Sequence, residues 1–256
     1  MHRANAYVDT LFPGTPATSV ITSYVLKQSE ATTLQRHLQN DAVSYIYSSA
    51  ISIGDAIGGI QRELLTWATV KLYYATFYAC RAMLALDGGC IFYIGTKPFI
   101  LEAKPGNMAR KEKGQTHKIV LDEFEKQKTV PYLLSQSIGL TKPLDWLMEK
   151  REEANYRNAK FWEPIPPAHF EKIMGIGIRR AINAYLSDAT GTYLFNPDHA
   201  ILAYPLRTLE YAFNKLKTFK DLTLSDNDTH YLRQLFRDRD GPIPDMYNMI
   251  ESEGNQ

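Results

Sequence analysis

One segment constrains the fold of this 256-residue chain more than any other: Glu63 to Leu86, apolar almost all the way round a helix. Its apolar residues are Leu64, Leu65, Trp67, Val70, Leu72, Tyr73, Phe77, Met83 and Leu84. A helix of this kind is stable only when other helices surround it. Lys71 and Arg81 interrupt the run, and each charge would cost about 2.5–3.5 kcal/mol at the centre of a bilayer. The segment therefore predicts a buried central helix and not a membrane span. Gly88-Gly89 follow it as a C-terminal stop.

The flanking pattern predicts an all-α protein with minor strand content. Residues 1–28 carry Pro13, Gly14, Pro16 and several β-branched residues, which predicts an extended arm that adds short strands or wraps the bundle. Ser29 is a cap for a helix running through Tyr45, Tyr47 and Ile51. Gly54, Gly58 and Gly59 weaken that helix, each by about 1 kcal/mol relative to alanine. The stretch from Gly89 to Thr116 has no clear period and is long for a connection, as functional loops often are. It holds one short strand, Ile91-Phe92-Tyr93-Ile94, and then a basic run with Lys104, Arg110, Lys111 and Lys113.

A short helix is expected from His117 to Lys126, and another from Thr141-Pro143 through Trp146, Met148, Arg151 and Tyr156. Pro164, Pro166 and Pro167 close that region. Further helices are expected from Ala168 to Leu186, from Asn196-Pro197 to Thr218, and from a Ser225/Asp228 cap through Phe236. Glu251–Gln256 reads as a frayed end. The expected architecture is an antiparallel bundle of four or five helices over residues 29–190, with a C-terminal helical extension over 191–256. Leu202, Leu206, Leu209, Phe213 and Leu216 give the extension an apolar face to pack on the bundle or on a partner subunit.

Composition and missing motifs narrow the chemistry. Lysine and arginine total 29 against 28 acids, a net charge of +1, so any contact with RNA must rest on a local basic patch. Cys80 and Cys90 provide neither a disulfide framework nor a four-ligand zinc site, and no signal-peptide stretch opens the sequence. A reducing, cytoplasmic setting is the expectation. The six histidines are scattered, and H-E-x-x-H, Walker A, G-x-G-x-x-G and G-x-S-x-G are all missing. That argues against a metalloenzyme, a P-loop ATPase, a Rossmann enzyme and a serine hydrolase; no metal or cofactor is expected.

What remains is spread over three segments. Tyr73-Tyr74-Ala75-Thr76-Phe77-Tyr78-Ala79-Cys80-Arg81-Ala82 places Tyr74, Tyr78 and Arg81 along one helix face. Thr116-His117-Lys118 comes after the long loop, and Arg151-Glu152-Glu153-Ala154-Asn155-Tyr156-Arg157 puts Arg151 and Asn155 one turn apart. Plainer readings stand beside each: His117 is also an ordinary residue at a helix N-terminus. The tyrosines are also ordinary core aromatics, Arg81 in an apolar helix calls for an acidic partner such as Glu152 or Glu153, and the Arg151–Arg157 run is also a solvated face held by intrahelical ion pairs.

Together, and in this order, the three segments resemble the HEPN superfamily over about 100 residues. The paired-aromatic run is similar to its second helix, Thr116-His117 with Ile119 to Phe124 to its short middle helix, and Arg151 to Tyr156 to its late-helix motif in the branch written Arg…Ala-Asp-Tyr. The resemblance implies an RNA-directed protein of a toxin–antitoxin or antiviral system, acting without metal as a homodimer that brings two motif helices together and leaves a cyclic phosphate. In catalytic members a histidine lies four to six residues after the arginine; here Tyr156 occupies the fifth position. Tyrosine, with an ordinary pKa near 10, is a poor general base at pH 7. The resemblance therefore assigns Arg151 to the scissile phosphate, Asn155 and Tyr156 to positioning it, and His117 or Tyr156 to proton transfer. Arg157, Lys111, Lys113 and Lys118 are the expected RNA contacts. Two alternatives remain: an inactive interaction or nucleotide-sensing subunit that docks on a larger effector, and a toxin whose Tyr156 is modified by a partner nucleotidyltransferase encoded by a neighbouring gene.

Overall fold

The computed structural model describes residues 2–128, 130–157 and 159–251. The apolar segment forms α4 (Leu65–Leu86) at the centre of the packing, with Leu72, Tyr73, Phe77, Cys80 and Met83 buried. It is surrounded by α3 (Gln28–Gln61), α5 (Thr116–Gln127), α6 (Pro143–Glu152) and α9 (Ala200–Lys217). The all-round apolar sequence is thus used on nearly every side. No helix among the described residues is long and apolar enough to cross a membrane.

Helix α3 corrects two expectations. It begins at Gln28, where the Glu30 carboxylate accepts a 2.9 Å hydrogen bond from the Lys27 N–H, so Glu30 and not Ser29 satisfies the first turn. It also runs unbroken through Gly54, Gly58 and Gly59, about 50 Å in all. At Gly54 a Cβ would lie 2.9 Å from Leu235 Cβ. This glycine lets the end of α10 (Asp226–Leu235) approach the α3 backbone, and the packing gained offsets the weaker helix propensity.

The stretch expected to be mostly loop is largely a sheet. Strands β1 (Gly89–Ile94), β2 (Lys97–Glu102) and β3 (Arg110–Lys111) pair antiparallel in that order, Phe92 facing Phe99 across the first pair. Phe99, Ile100 and Leu101 are buried in succession. That continuous apolar run, interrupted by neither alternation nor helical period, hid β2 from periodicity. The sheet also sets the position of α5: the Tyr93 hydroxyl and Thr116 Oγ1 lie 2.7 Å apart and tie the start of that helix to β1.

The N-terminal residues, expected to be extended, are mainly two helices, α1 (Arg3–Leu11) and α2 (Thr18–Ser23). Ala4, Val8 and Phe12 recur every four residues and are buried. The first turn of α1 has a remote cap: the buried Asp41 carboxylate on α3 accepts from the N–H groups of Arg3 and Ala4, both at 2.9 Å. One strand-like contact survives from the expected arm, a bridge between Val25 and Met108 beside the sheet.

Beyond α6 the chain winds for one turn as a π-helix, Glu153–Arg157. The helix expected from Ala168 to Leu186 is broken by Gly177, at φ +86°, into α7 (Ala168–Ile176) and α8 (Ile178–Leu186). Helix α9 starts at Ala200, later than expected, and accommodates Pro205 inside it. Ser225 caps α10 as expected, its hydroxyl accepting from Asp228 N–H at 3.1 Å. A small hairpin, β4 (Arg237–Asp238) with β5 (Gly241–Pro242), leads to α11 (Pro244–Ile250). Leu202, Leu206, Leu209, Phe213 and Leu216 join the same hydrophobic cluster as α3 and α4. Of the expected frayed end only Glu251 lies within the described residues, where its carboxylate meets Arg233 at 2.8 Å.

Candidate functional site

Tyr73 organises the site. Its ring is buried on α4, and its hydroxyl lies 3.1 Å from His117 Nδ1. His117, in the first turn of α5, stacks on Phe77 with centroids 4.3 Å apart and planes 16° from parallel, and meets the edge of Tyr74 at 5.3 Å. From α6, the Arg151 guanidinium sits over the Tyr73 ring, 4.8 Å from its centroid. Two sequence candidates that are 34 residues apart therefore meet on one tyrosine. Local causes are visible on both sides. Thr116 anchors the start of α5 to β1, and α6 is held against α4 by buried Leu144, Trp146 and Leu147.

The electrostatics arise from this packing. Burial, with the nearby Arg151 and Arg81 cations, holds the His117 pKa below its ordinary 6.5. The imidazole is therefore neutral near pH 7 and able to accept a proton. Burial pushes the Tyr73 hydroxyl up to about 12, partly offset by Arg151, so it remains protonated. Arg151 is only 15% exposed at its side chain, and its one ion pair among the described residues is a long 3.5 Å contact from Nη2 to Glu152. Its Nε is buried and hydrogen-bonds to nothing among the described residues. A buried guanidinium with an unused donor is costly unless an anion completes it.

The remaining candidates are less concentrated. Asn155 is half-buried in the π-helical turn and Tyr156 is 76% exposed. Because this turn closes i→i+5 bonds, the continuous α-helical face expected to join Arg151 to Asn155 is interrupted. Arg157 is exposed and pairs with Glu152 at 3.7 Å and Glu153 at 3.9 Å, as intrahelical pairing predicts. Lys111 and Lys113 are exposed on and just after β3; Lys118 is exposed and pairs with Asp122 at 3.2 Å. Arg110 is committed to Glu112 and to the buried carboxylate of Glu123, which makes it a structural cation.

Arg81 departs from expectation. No described carboxylate pairs with its guanidinium, which lies over the Tyr45 ring at 4.6 Å from the centroid. Glu152 and Glu153 pair with Arg151, Arg157 and Lys150 instead. A cation–π contact contributes about 0.5–1 kcal/mol at such half-buried sites and leaves the N–H donors free. The sequence signal for this was Tyr45 itself, recurring on the helix that precedes α4.

No family model matches this chain, and neither a curated protein nor a solved structure is significantly similar to it.

Proposed function

We propose that this protein is a HEPN-type, RNA-directed effector of a prokaryotic toxin–antitoxin or antiviral system, acting in the cytoplasm as a metal-independent endoribonuclease. The observation that carries the reading is the convergence of His117 and Arg151 on Tyr73, with the Arg151 Nε left without a partner. In the tautomer that donates Nδ1–H to the Tyr73 oxygen, His117 Nε2 accepts the proton of a ribose 2′-hydroxyl. The 2′-oxygen then attacks the adjacent phosphorus, the bond to the 5′-oxygen breaks, and that oxygen leaves with a proton from water or from Tyr156. The products are a 2′,3′-cyclic phosphate and a 5′-hydroxyl. Arg151 balances the charge that grows on the phosphorane oxygens. Here an imidazole from α5 supplies what the late-helix motif lacks, and a homodimer would bring two motif helices together.

The exposed Tyr156 and the Glu152 contact to Arg151 favour a second reading, an inactive HEPN-fold subunit that docks on a larger effector encoded nearby. Incubation with fluorescent single-stranded RNA in EDTA separates the two. Cleavage to cyclic-phosphate ends, abolished in Arg151→Ala and His117→Ala, supports the enzyme. Binding without cleavage supports the docking subunit, and neither binding nor cleavage refutes the RNA-directed reading.

A further inference from the structure

Helix α4 is buried on every side but one. Along that side run Trp67, Lys71, Tyr74, Tyr78 and Arg81, spaced alternately four and three residues apart, and each is exposed or half-buried. The stripe is about 21 Å long. Trp67 is 50% exposed and meets the exposed Phe161 edge-on at 5.8 Å. Phe161 is held there because the Glu163 carboxylate accepts from the Thr66 N–H at 2.8 Å and from its hydroxyl at 2.7 Å, pinning the adjoining loop to the start of α4. Further along, Tyr74 and Tyr78 lie 6.2 Å apart with planes 32° from parallel, beside His117. Arg81 closes the stripe.

The charges along it are lopsided. Burial first, and then the charges of Arg151 and Arg81, lowers the His117 pKa, so the imidazole also sits in the field of two guanidiniums. Arg81 has no acidic partner among the described residues. The nearby carboxylate of Asp41 uses its oxygens on the Arg3 and Ala4 N–H groups. Other carboxylates near the stripe are engaged too: Asp55 pairs with Lys71 at 2.8 Å, Glu152 is shared by Arg151 and Arg157, and Glu163 accepts from Thr66 beside Trp67.

We infer that the exposed stripe of α4 is a track for single-stranded RNA. Trp67, Tyr74 and Tyr78 stack on bases, while Arg81 and Arg151 hold phosphates on either side of His117. Aromatic faces interleaved with cations suit unpaired strands, because every base offers a π-face only when it is out of a duplex. This rests on the RNA-directed reading above and specifies its substrate class. A second copy of the chain, packing helix against helix along the same spacing, is the competing occupant; the stripe itself carries no carboxylate to offer Arg81, whereas RNA brings phosphates.

Fluorescence anisotropy with labelled oligouridine, and with a duplex of the same length, tests the track on the full chain. Wild type should prefer the single strand. Trp67→Ala and Tyr78→Ala should each weaken it by about 5- to 150-fold, while Trp67→Phe retains binding. Arg81→Ala should reduce the slope of log affinity against log salt by about 0.7. Oligouridine should quench tryptophan emission in wild type and not in Trp67→Phe. Thermal melts check that Trp67→Ala, at a half-exposed site, stays folded. A preference for duplex overturns the track. So does wild-type affinity in Trp67→Ala and Tyr78→Ala, or a shift of these variants from dimer to monomer in sedimentation with RNA affinity unchanged. If Arg151→Ala abolishes cleavage while the stripe variants bind normally, the track fails and the proposed activity stands. If wild type binds no RNA, both fail.

Discussion

Helices α5 and α6 bring one histidine and one arginine to the surface of α4, and helices α7 and α8 carry a comparable pair, His169 and Arg179, with Arg180 beside it. The two pairs are treated in opposite ways. His169, on α7, is sealed among Trp146, Trp162 and Phe170, with centroids 6.3, 5.3 and 5.0 Å away. Arg179, on α8, is saturated: Nε and Nη2 reach the Asp238 carboxylate at 2.8 and 2.5 Å, and the carbonyls of Pro242 and Gly241 accept at 2.8 and 3.1 Å. His117 instead leans on Tyr73 at the surface, and Arg151 keeps a donor unused. Residue type does not separate the two pairs, and neither does an unmet hydrogen bond alone, since His169 Nε2 also bonds to nothing among the described residues. What separates them is access: rings enclose His169, whereas His117 and Arg151 are half-buried.

The largest expected effect tests the sealed histidine. Burial, with the nearby Lys150 charge, lowers the His169 pKa from 6.5 to about 3. Its folded value is depressed, so the unfolded chain takes up the proton first. The associated stability is complete above pH 6.5 and is lost as pH falls towards 3, by up to roughly 5 kcal/mol. Urea denaturation of wild type and His169→Phe across this range should show the variant losing less stability in acid. Parallel curves would mean that His169 is solvated.

Arg151→Ala should come next, lowering RNA cleavage about 100- to 1000-fold with little change in melting temperature. A collapse of the fold would place Arg151 with the structural arginines and undo the contrast. Arg179→Ala should do the reverse, costing about 2 kcal/mol as the Asp238 carboxylate loses its partner, with RNA affinity unchanged. Chemical denaturation and anisotropy on one preparation read both quantities. The smallest effect is expected for Tyr73→Phe, which removes the hydrogen bond to His117 at a cost of about 1 kcal/mol. The acid limb of the cleavage-rate profile should move, since the tautomer is no longer fixed. An unmoved profile would show that Tyr73 only packs.

The candidate site was legible in part. Arg151 and His117 stood out by residue type and by their place in the resemblance, and the sequence already suggested that an imidazole from another segment is needed. Their meeting on Tyr73 was not readable, because it depends on a Tyr93–Thr116 contact from a sheet whose second strand has no periodic signature. The partner of Arg81 was misjudged for a related reason. Charge complementarity suggests a carboxylate, whereas the fold presents the face of Tyr45.

By itself the sequence determined that α4 is central, because a helix apolar on nearly every side has no stable position elsewhere. It also determined the helical class, the late-helix segment from Pro143 and the Ser225 cap, all set by local spacing and local hydrogen bonds. Tertiary structure decided what depends on distant partners: the α1 cap from Asp41, the passage of α3 through Gly54 against Leu235, and which cations are left unpaired. Burial and unmet hydrogen bonds are properties of neighbours far apart in the chain. The single open face of α4 exists only once every other face has been covered.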